Sequence, residues 1–145
     1  MRAVIQRVEQ AKVTVAEEKF GEIGNGLLVL LAISKTDTEK QVKKMADKLI
    51  SLRIFEDDNQ KMNLSVQDIK GDILVVSQFT LYGDCEKGNR PSFINSASSE
   101  KAKGLYEHLV QILRDKGFKA PTGSFGSFMK VELVNDGPTT IIIDL

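Results

Sequence analysis

The sequence contains one cysteine and one histidine, but their positions do not favour a catalytic site built on histidine. Cys85 is the only cysteine and follows a predicted strand, in the kind of loop that often carries function. His108 is the only histidine, in the middle of a predicted helix beside the polar Glu107 and Gln111. We expect His108 on or near the solvated face of that helix. A Cys–His pair or a Ser–His–Asp triad is therefore not predicted.

The sequence contains none of the common metal or nucleotide motifs. There is no CxxC pair, no HExxH, and no GxxxxGK loop followed by serine or threonine to hold nucleotide phosphates. We therefore expect no metal ion and no cofactor. Any chemistry would have to be carried by hydroxyl, amide and backbone groups.

Three short segments combine residue types that could bind or position a substrate. Polar residues follow directly on a buried strand at residues 77–81, cations flank a glycine and a proline at residues 87–93, and residues 135–140 include Asp-Gly-Pro. The cations of the second segment could grip a phosphate backbone, with an aromatic near a base or sugar. On residue types alone, however, ordinary structure is the preferred explanation: a strand leaving the core, a solvated loop and a hairpin turn.

Length and composition limit the classes of protein to consider. The chain has 145 residues, which suits one domain spanning residues 1–145. Its 20 Lys and Arg balance 20 Asp and Glu, so global charge predicts no nucleic-acid partner, although local basic patches remain possible. The longest apolar run, residues 27–33, is too short to span a bilayer, and no signal peptide is expected. One cysteine fits a reducing compartment, so we expect a cytoplasmic protein with no membrane partner.

The apolar residues alternate or cluster in patterns that predict two helices among several short strands. Thr38 with Gln41 gives a capping-box signature before a first helix, and Gly117 is a natural stop for a second helix at about residues 99–116. The run at 27–33 lacks alternation, which is typical of a strand buried on both faces. The predicted strands cover residues 3–8, 12–16, 20–23, 27–33, 52–55, 73–76, 129–133 and 140–143.

The order of these elements predicts an α+β fold. We expect a single domain, because strands alternate with isolated helices along the chain. Its β-sheet would be curved, antiparallel or mixed, and barrel-like, with two amphipathic helices packed against it. Because few residues separate the last two strands, we expect them to pair as a hairpin around Asp136 and Gly137.

Several segments along the chain occur in a characteristic order and spacing: the opening MRAVIQRV, residues 24–31, the SQFTL of residues 77–81, residues 87–93, the TGSFG of residues 122–126 with Met129, and the NDGP of residues 135–138 with Thr140. In these segments the whole sequence resembles the D-aminoacyl-tRNA deacylase family, also called D-tyrosyl-tRNA deacylases. One position departs from the family pattern, because Thr139 stands where valine is usual. Both side chains are β-branched and similar in size, so we expect a small effect.

The resemblance implies an enzyme that hydrolyses the ester between a D-amino acid and tRNA. Catalytic residues are then expected at Ser77, Gln78, Phe79 and Thr80, with the Phe79 N–H as an oxyanion-hole donor. Thr80 could be a nucleophile or a positioning group, and we favour positioning because no general base lies near it in the sequence. Gly137, Pro138 and Thr139 of a partner subunit would select chirality, and the Gly137–Pro138 peptide is expected to be cis.

The same resemblance implies a homodimer with tRNA as substrate and no DNA partner. Our candidates for tRNA phosphate contacts are Arg7, Lys87 and Arg90. Glycyl-tRNA could also be cleaved, because glycine has no side chain to exclude. Two alternatives remain open: a non-catalytic RNA-binding or dimeric interaction module, and a sister deacylase tuned to glycine or to mischarged L-alanine.

Overall fold

The computed structural model describes all 145 residues as one curled mixed sheet with two helices packed against it. This confirms the predicted fold class. The strands and helices, in chain order, are β1 Arg2–Val15, β2 Glu18–Ile23, β3 Gly26–Ala32, α1 Glu39–Ser51, β4 Phe55–Glu56, β5 Met62–Leu64, β6 Asp72–Ser77, a 3₁₀ helix Phe79–Tyr82, α2 Ser99–Asp115 and β7 Lys130–Asp144. No helix is long and apolar enough to cross a membrane.

Strand β1 is the centre of the sheet because it pairs along both of its edges. One edge pairs antiparallel with β3 over residues 2–8 and then with β2 over residues 11–15, while the other edge pairs with β7. Strand β6 lies parallel to β3 on its outer side. Alternate side chains of β3 enter two hydrophobic clusters on opposite faces of the sheet, so nearly all of them are buried, as the continuous apolar run predicts.

Both helices begin and pack as their sequence patterns predict. At α1 the Gln41 carboxamide oxygen accepts from the Thr38 N–H at 3.0 Å, completing the capping box with the Thr38 side chain. In α2 the buried Tyr106 hydroxyl donates to the Val75 carbonyl at 2.8 Å. Burial raises the pKa of Tyr106, so the hydroxyl keeps its proton and remains a donor. This bond ties α2 to β6 two residues before Ser77.

Gly104 offers a test of the α2 packing. It lies inside α2, and a Cβ added there would have no atom within 4 Å. Gly104→Ala should therefore raise the free energy of unfolding by about 0.5–1 kcal/mol, because alanine loses less backbone entropy in a helix than glycine. Urea unfolding of both proteins measures the difference. A lower stability for the alanine variant would mean that this face of α2 is more crowded than the structure shows.

The predicted hairpin around Asp136 and Gly137 is wrong. β7 continues in one direction and pairs with β1 both before and after these residues. Gln6 pairs with Thr140 and Val8 with Asn135, so residues 136–139 have no counterpart on β1 and leave the ladder as a bulge. The Asn135 side-chain amide donates to the carbonyls of Arg7 and Thr139, at 2.9 and 3.0 Å, and closes the 136–139 bulge.

Two predicted strand boundaries also need correction. The strands predicted at residues 3–8 and 12–16 form the single strand β1, which ends at Val15, because β7 continues alongside it where its other partner changes from β3 to β2. The strand predicted at residues 52–55 starts only at Phe55, since Leu52 is the C-cap of α1.

Candidate active site

A cavity of about 560 Å³ opens where β6 ends, and it brings together three of the four predicted catalytic residues. Ser77, Gln78 and Phe79 form one wall. Thr80 does not line the cavity, but its hydroxyl donates to the Gln78 side-chain oxygen at 2.8 Å. Most of the remaining lining is apolar. The site cavity therefore combines polar groups of Ser77 and Gln78 with a mostly apolar lining.

Backbone geometry turns the chain sharply at the polar wall. The Gln78 N–H donates to the Leu31 carbonyl at 2.8 Å, which extends the pairing of β6 with β3 by one residue. Gln78 then caps the 3₁₀ helix that begins at Phe79, and no side chain at the cap accepts from the first helical N–H groups. The first N–H groups of a helix have no acceptor within the helix. This end of β6 can therefore present backbone donors to a bound group.

Phe79 is held in place by the loop that follows it. Its ring lies edge-on to Phe93 with centroids 5.0 Å apart, and its carbonyl accepts from the Ser96 hydroxyl at 3.3 Å. Phe79 nevertheless stays 54% exposed. The local structure thus fixes the backbone of Phe79 while leaving its ring accessible.

A second part of the cavity lining is formed by residues 125–129, together with Val131. Gly123 permits this approach, because a Cβ there would clash with the Met129 sulfur. Gly126 has φ +77°, and the Ser124 and Ser127 hydroxyls lie 2.7 Å apart. The loop so formed leaves Phe128 wholly exposed at the cavity. Residue types alone did not assign these residues to the site, although a glycine-rich segment with two phenylalanines, Phe125 and Phe128, was the available signal.

The predicted chirality-selecting residues lie outside the site cavity of their own chain. Gly137 and Pro138 are exposed on the 136–139 bulge, whereas Thr139 is only 7% exposed. The Gly137–Pro138 peptide bond is cis. None of the three residues lines the cavity. Within one chain, the structure therefore does not bring the two predicted parts of the site together.

Arg7 is not placed to contact a tRNA phosphate, because it is only 5% exposed. Its Nη1 donates to the Ile54 carbonyl at 2.7 Å. Its Nε lies 2.8 Å from an Asp136 carboxylate oxygen, close enough for an ion pair but without hydrogen-bond geometry, and Nη2 is 3.8 Å from Glu56. A Cβ on Gly137 would lie 3.1 Å from Nη2. Arg7 therefore supports the 136–139 bulge from beneath, which corrects the expectation.

Lys87 and Arg90 are exposed, as the expected phosphate contacts require. The loop that carries them is closed at its base by Asp84 and Ser92, whose backbone groups exchange hydrogen bonds of 2.9 and 2.8 Å. Both cations lie between these two residues. The loop base follows directly on the 3₁₀ helix of the site.

Replacing Arg7 tests its supporting role. Arg7→Lys keeps the charge but loses the planar fork that reaches Ile54 and Asp136 together. We expect the free energy of unfolding to fall by about 1–3 kcal/mol, the cost of leaving a buried carbonyl unsatisfied. Chemical denaturation measures this, with the exposed Arg90→Lys as the matched control. Equal stability of the wild type and Arg7→Lys would contradict the supporting role.

Comparison with known proteins identifies the class to which this fold and site belong. The family model described as D-Tyr-tRNA(Tyr) deacylase matches residues 4–144. A D-aminoacyl-tRNA deacylase of Thermotoga petrophila is 58% identical over 144 residues, covering 99% of this chain and 97% of that protein. One of Clostridioides difficile is 57% identical with the same coverage.

Solved structures agree on the fold. A protein described as c-Myc DNA Unwinding Element Binding Protein superposes with a TM-score of 0.93 at 43% identity, over 100% of this chain and 99% of its own. A probable eukaryotic D-amino acid tRNA deacylase superposes with a TM-score of 0.87 at 18% identity, over 99% and 98%, which shows the fold alone.

The fold and the relatives together define a hydrolase of the tRNA-deacylase class. With a family match over nearly its whole length, the chain belongs to the D-Tyr-tRNA(Tyr) deacylase family.

Proposed function

We propose that this protein hydrolyses the ester between a D-amino acid and the 3′ end of tRNA, releasing free D-amino acid and tRNA. The observation that carries the proposal is the polar wall of Ser77, Gln78 and Phe79 in a mostly apolar cavity of about 560 Å³. Such a cavity can cover a nucleoside with its apolar surface and present the adjoining ester to the polar wall. The relatives named D-aminoacyl-tRNA deacylase, at 57–58% identity, support this substrate.

The chemistry needs little activation, because an aminoacyl ester is already reactive. Water attacks the ester carbonyl, the carbon–oxygen bond to the ribose breaks, and the ribose oxygen takes up a proton. The Phe79 N–H, at the start of the 3₁₀ helix, stabilises the negative charge that develops on the carbonyl oxygen. The neighbouring 2′-hydroxyl of the terminal ribose assists the proton transfer.

Thr80 acts as a positioning group in this proposal. Its hydroxyl hydrogen is directed at the Gln78 side-chain oxygen, a neutral amide that cannot serve as a general base. The bond instead orients the Gln78 carboxamide at the cavity wall. Ser77 and Gln78 then hold the substrate while water performs the attack.

The protein acts as a homodimer in this proposal, through the free edge of β7. This strand has 15 residues and pairs only with β1, so its other edge carries unpaired backbone groups. Leu133, Val134 and Ile142 are 36%, 42% and 65% exposed along it. A long edge strand with exposed apolar side chains favours association with a second copy.

The 136–139 bulge then selects chirality in the partner's cavity. It projects from the same strand that forms the proposed interface, and Gly137 and Pro138 are exposed on it. The carbonyls of these residues would bind the substrate's α-amino group, so a D-side chain points to open space and an L-side chain collides with backbone. Because this mechanism excludes substrates by the direction of their side chain, it does not select the chemical type of that side chain. Several D-aminoacyl-tRNAs, and glycyl-tRNA, are therefore expected substrates.

Outside the cavity, Lys87 and Arg90 would contact the tRNA phosphates, and a cytoplasmic location follows from a tRNA substrate. DNA is not a partner in this proposal, because the proposed substrate is an ester found only on tRNA; the DNA-binding description belongs to the structural relative. A sister specificity for glycine or mischarged L-alanine would appear as faster hydrolysis of glycyl-tRNA or L-alanyl-tRNA than of D-tyrosyl-tRNA.

A time course with D-tyrosyl-tRNA tests the activity itself. Purified protein should release D-tyrosine well above the spontaneous rate, and chelator-treated protein should be equally active. Release no faster than in buffer would favour the non-catalytic RNA-binding module.

Subunit mixing tests the shared site. Phe79→Pro damages the cavity wall and Gly137→Ala damages the bulge, so each homodimer should be inactive. After denaturation and refolding together, half of the dimers are mixed, and each mixed dimer has one intact site of two. Activity should therefore recover to about a quarter of the wild-type value, as a two-fold symmetric dimer requires. No recovery would mean that each chain works alone.

A further inference from the structure

One phenylalanine of the site cavity contributes nothing visible to the fold. Phe128 is 100% exposed, the highest value of any large apolar side chain in the molecule. Leaving such a ring in water forgoes about 1.5–3 kcal/mol of burial free energy. It nevertheless lines the same cavity as Ser77, Gln78 and Phe79. An exposed ring at this place can gain its burial only from something bound there.

The local backbone holds Phe128 outward. Gly126 has φ +77°, and the Ser127 N–H donates to the Ser124 carbonyl at 3.2 Å, which makes a tight turn. Next to Phe128, Met129 packs inward against Gly123 and joins the partly buried residues of the smaller core cluster. The turn therefore directs Met129 into the protein and leaves its neighbour Phe128 exposed.

The substrate of the proposed function has a group suited to this ring. If the terminal nucleotide enters the cavity, the nucleotide before it must pass over the rim, and the 3′ end of tRNA is single-stranded. Proteins bind single-stranded RNA mainly by stacking unpaired bases on aromatic side chains.

We propose that Phe128 stacks on the base of the nucleotide that precedes the terminal one. This inference rests on the proposed function, since it uses the same cavity for the 3′ end. Stacking on a phenyl ring does not depend on base identity, so Phe128 adds affinity for the RNA without selecting its sequence. It acts on binding and leaves the ester chemistry unchanged.

Two substrates distinguish stacking on the preceding nucleotide from any contact with the terminal nucleotide inside the cavity. D-tyrosyl-tRNA has the preceding nucleotide, and D-tyrosyl-adenosine lacks it. Phe128→Ala should raise KM for D-tyrosyl-tRNA about tenfold, equivalent to about 1.4 kcal/mol of lost stacking, and leave kcat unchanged. KM for D-tyrosyl-adenosine should not change. Phe128→Trp, which keeps an aromatic surface, should retain the wild-type KM.

Phe20→Ala is the matched control, because Phe20 is another exposed phenylalanine, 51% accessible on β2, outside the cavity lining. It should leave both KM values unchanged. An equal change with both substrates for Phe128→Ala, or no change with either, would overturn the proposal. So would a lower molecular mass of the variant in sedimentation, which would assign Phe128 to a contact between subunits.

A binding measurement keeps this test independent of catalysis. An uncharged RNA minihelix with the single-stranded 3′ end should bind Phe128→Ala about tenfold more weakly than the wild type. The same minihelix without its last two nucleotides should bind both proteins equally. If the wild type hydrolyses neither ester, the proposed function fails, and the minihelix still decides the role of Phe128: equal affinities overturn it and a selective loss supports it.

Discussion

Phe79→Pro is expected to lower kcat for D-tyrosyl-tRNA by about 10²–10³ relative to Phe79→Ala, because proline has no N–H to stabilise the developing oxyanion. Phe79 is the first residue of the 3₁₀ helix, where a missing N–H breaks no helical hydrogen bond and proline is tolerated. Single-turnover deacylation of D-tyrosyl-tRNA by the two variants measures the ratio.

The comparison with Phe79→Ala separates the backbone from the ring. Both variants lose the edge-on contact with Phe93, but only proline removes the donor. Circular dichroism and urea unfolding should show that both remain folded. Equal kcat values for two folded variants would remove the Phe79 N–H from the mechanism and shift attention to the side chains of Ser77 and Gln78.

Gly137→Ala is expected to lower kcat/KM for D-tyrosyl-tRNA by about 10², the cost of displacing a positioning group by about 1 Å. A Cβ at Gly137 would lie 2.6 Å from the Thr139 hydroxyl oxygen and 2.9 Å from the Thr139 nitrogen, so the bulge must move. The backbone there also has φ +115°, which an alanine rarely adopts. Steady-state kinetics with the purified variant checks the value.

Gly117→Ala is the control for backbone strain alone. Gly117 has φ +95°, similar to Gly137, but nothing lies within 4 Å of an added Cβ. It follows α2, away from the cavity and the bulge. We expect this variant to lose about 1–2 kcal/mol of stability while its activity stays at the wild-type level. If both glycine variants lost activity equally, the geometry of the bulge would not be the cause.

Sequence periodicity correctly predicted the helices and strands whose own apolar pattern shows which of their faces are buried. The apolar stripe of α1 and the unbroken apolar run of β3 were predicted correctly because each pattern directly reflects the faces that are covered. The four residues from Ser77 to Thr80 lie together for the same local reason, since they follow one another at the end of β6.

Long-range pairing explains the errors. Asp136 and Gly137 are a strong local turn signal, but β1 is long enough to pair with β7 on both sides of them, so the chain bulges without reversing. Arg7 was judged by its charge, although it follows Ala3 and Ile5 at a spacing of two on β1 and shares their buried face. That alternation was the signal for its burial.

The measurement that tests the central claim most directly is hydrolysis of matched D-tyrosyl-tRNA and L-tyrosyl-tRNA by the purified protein, with the double variant Gly137→Ala, Pro138→Ala beside it. We predict rapid release of D-tyrosine, release of L-tyrosine at the spontaneous rate, and a much smaller difference between the two in the variant. Release of both isomers at similar rates by the wild type would contradict selection by the bulge, and release of neither would contradict deacylation itself.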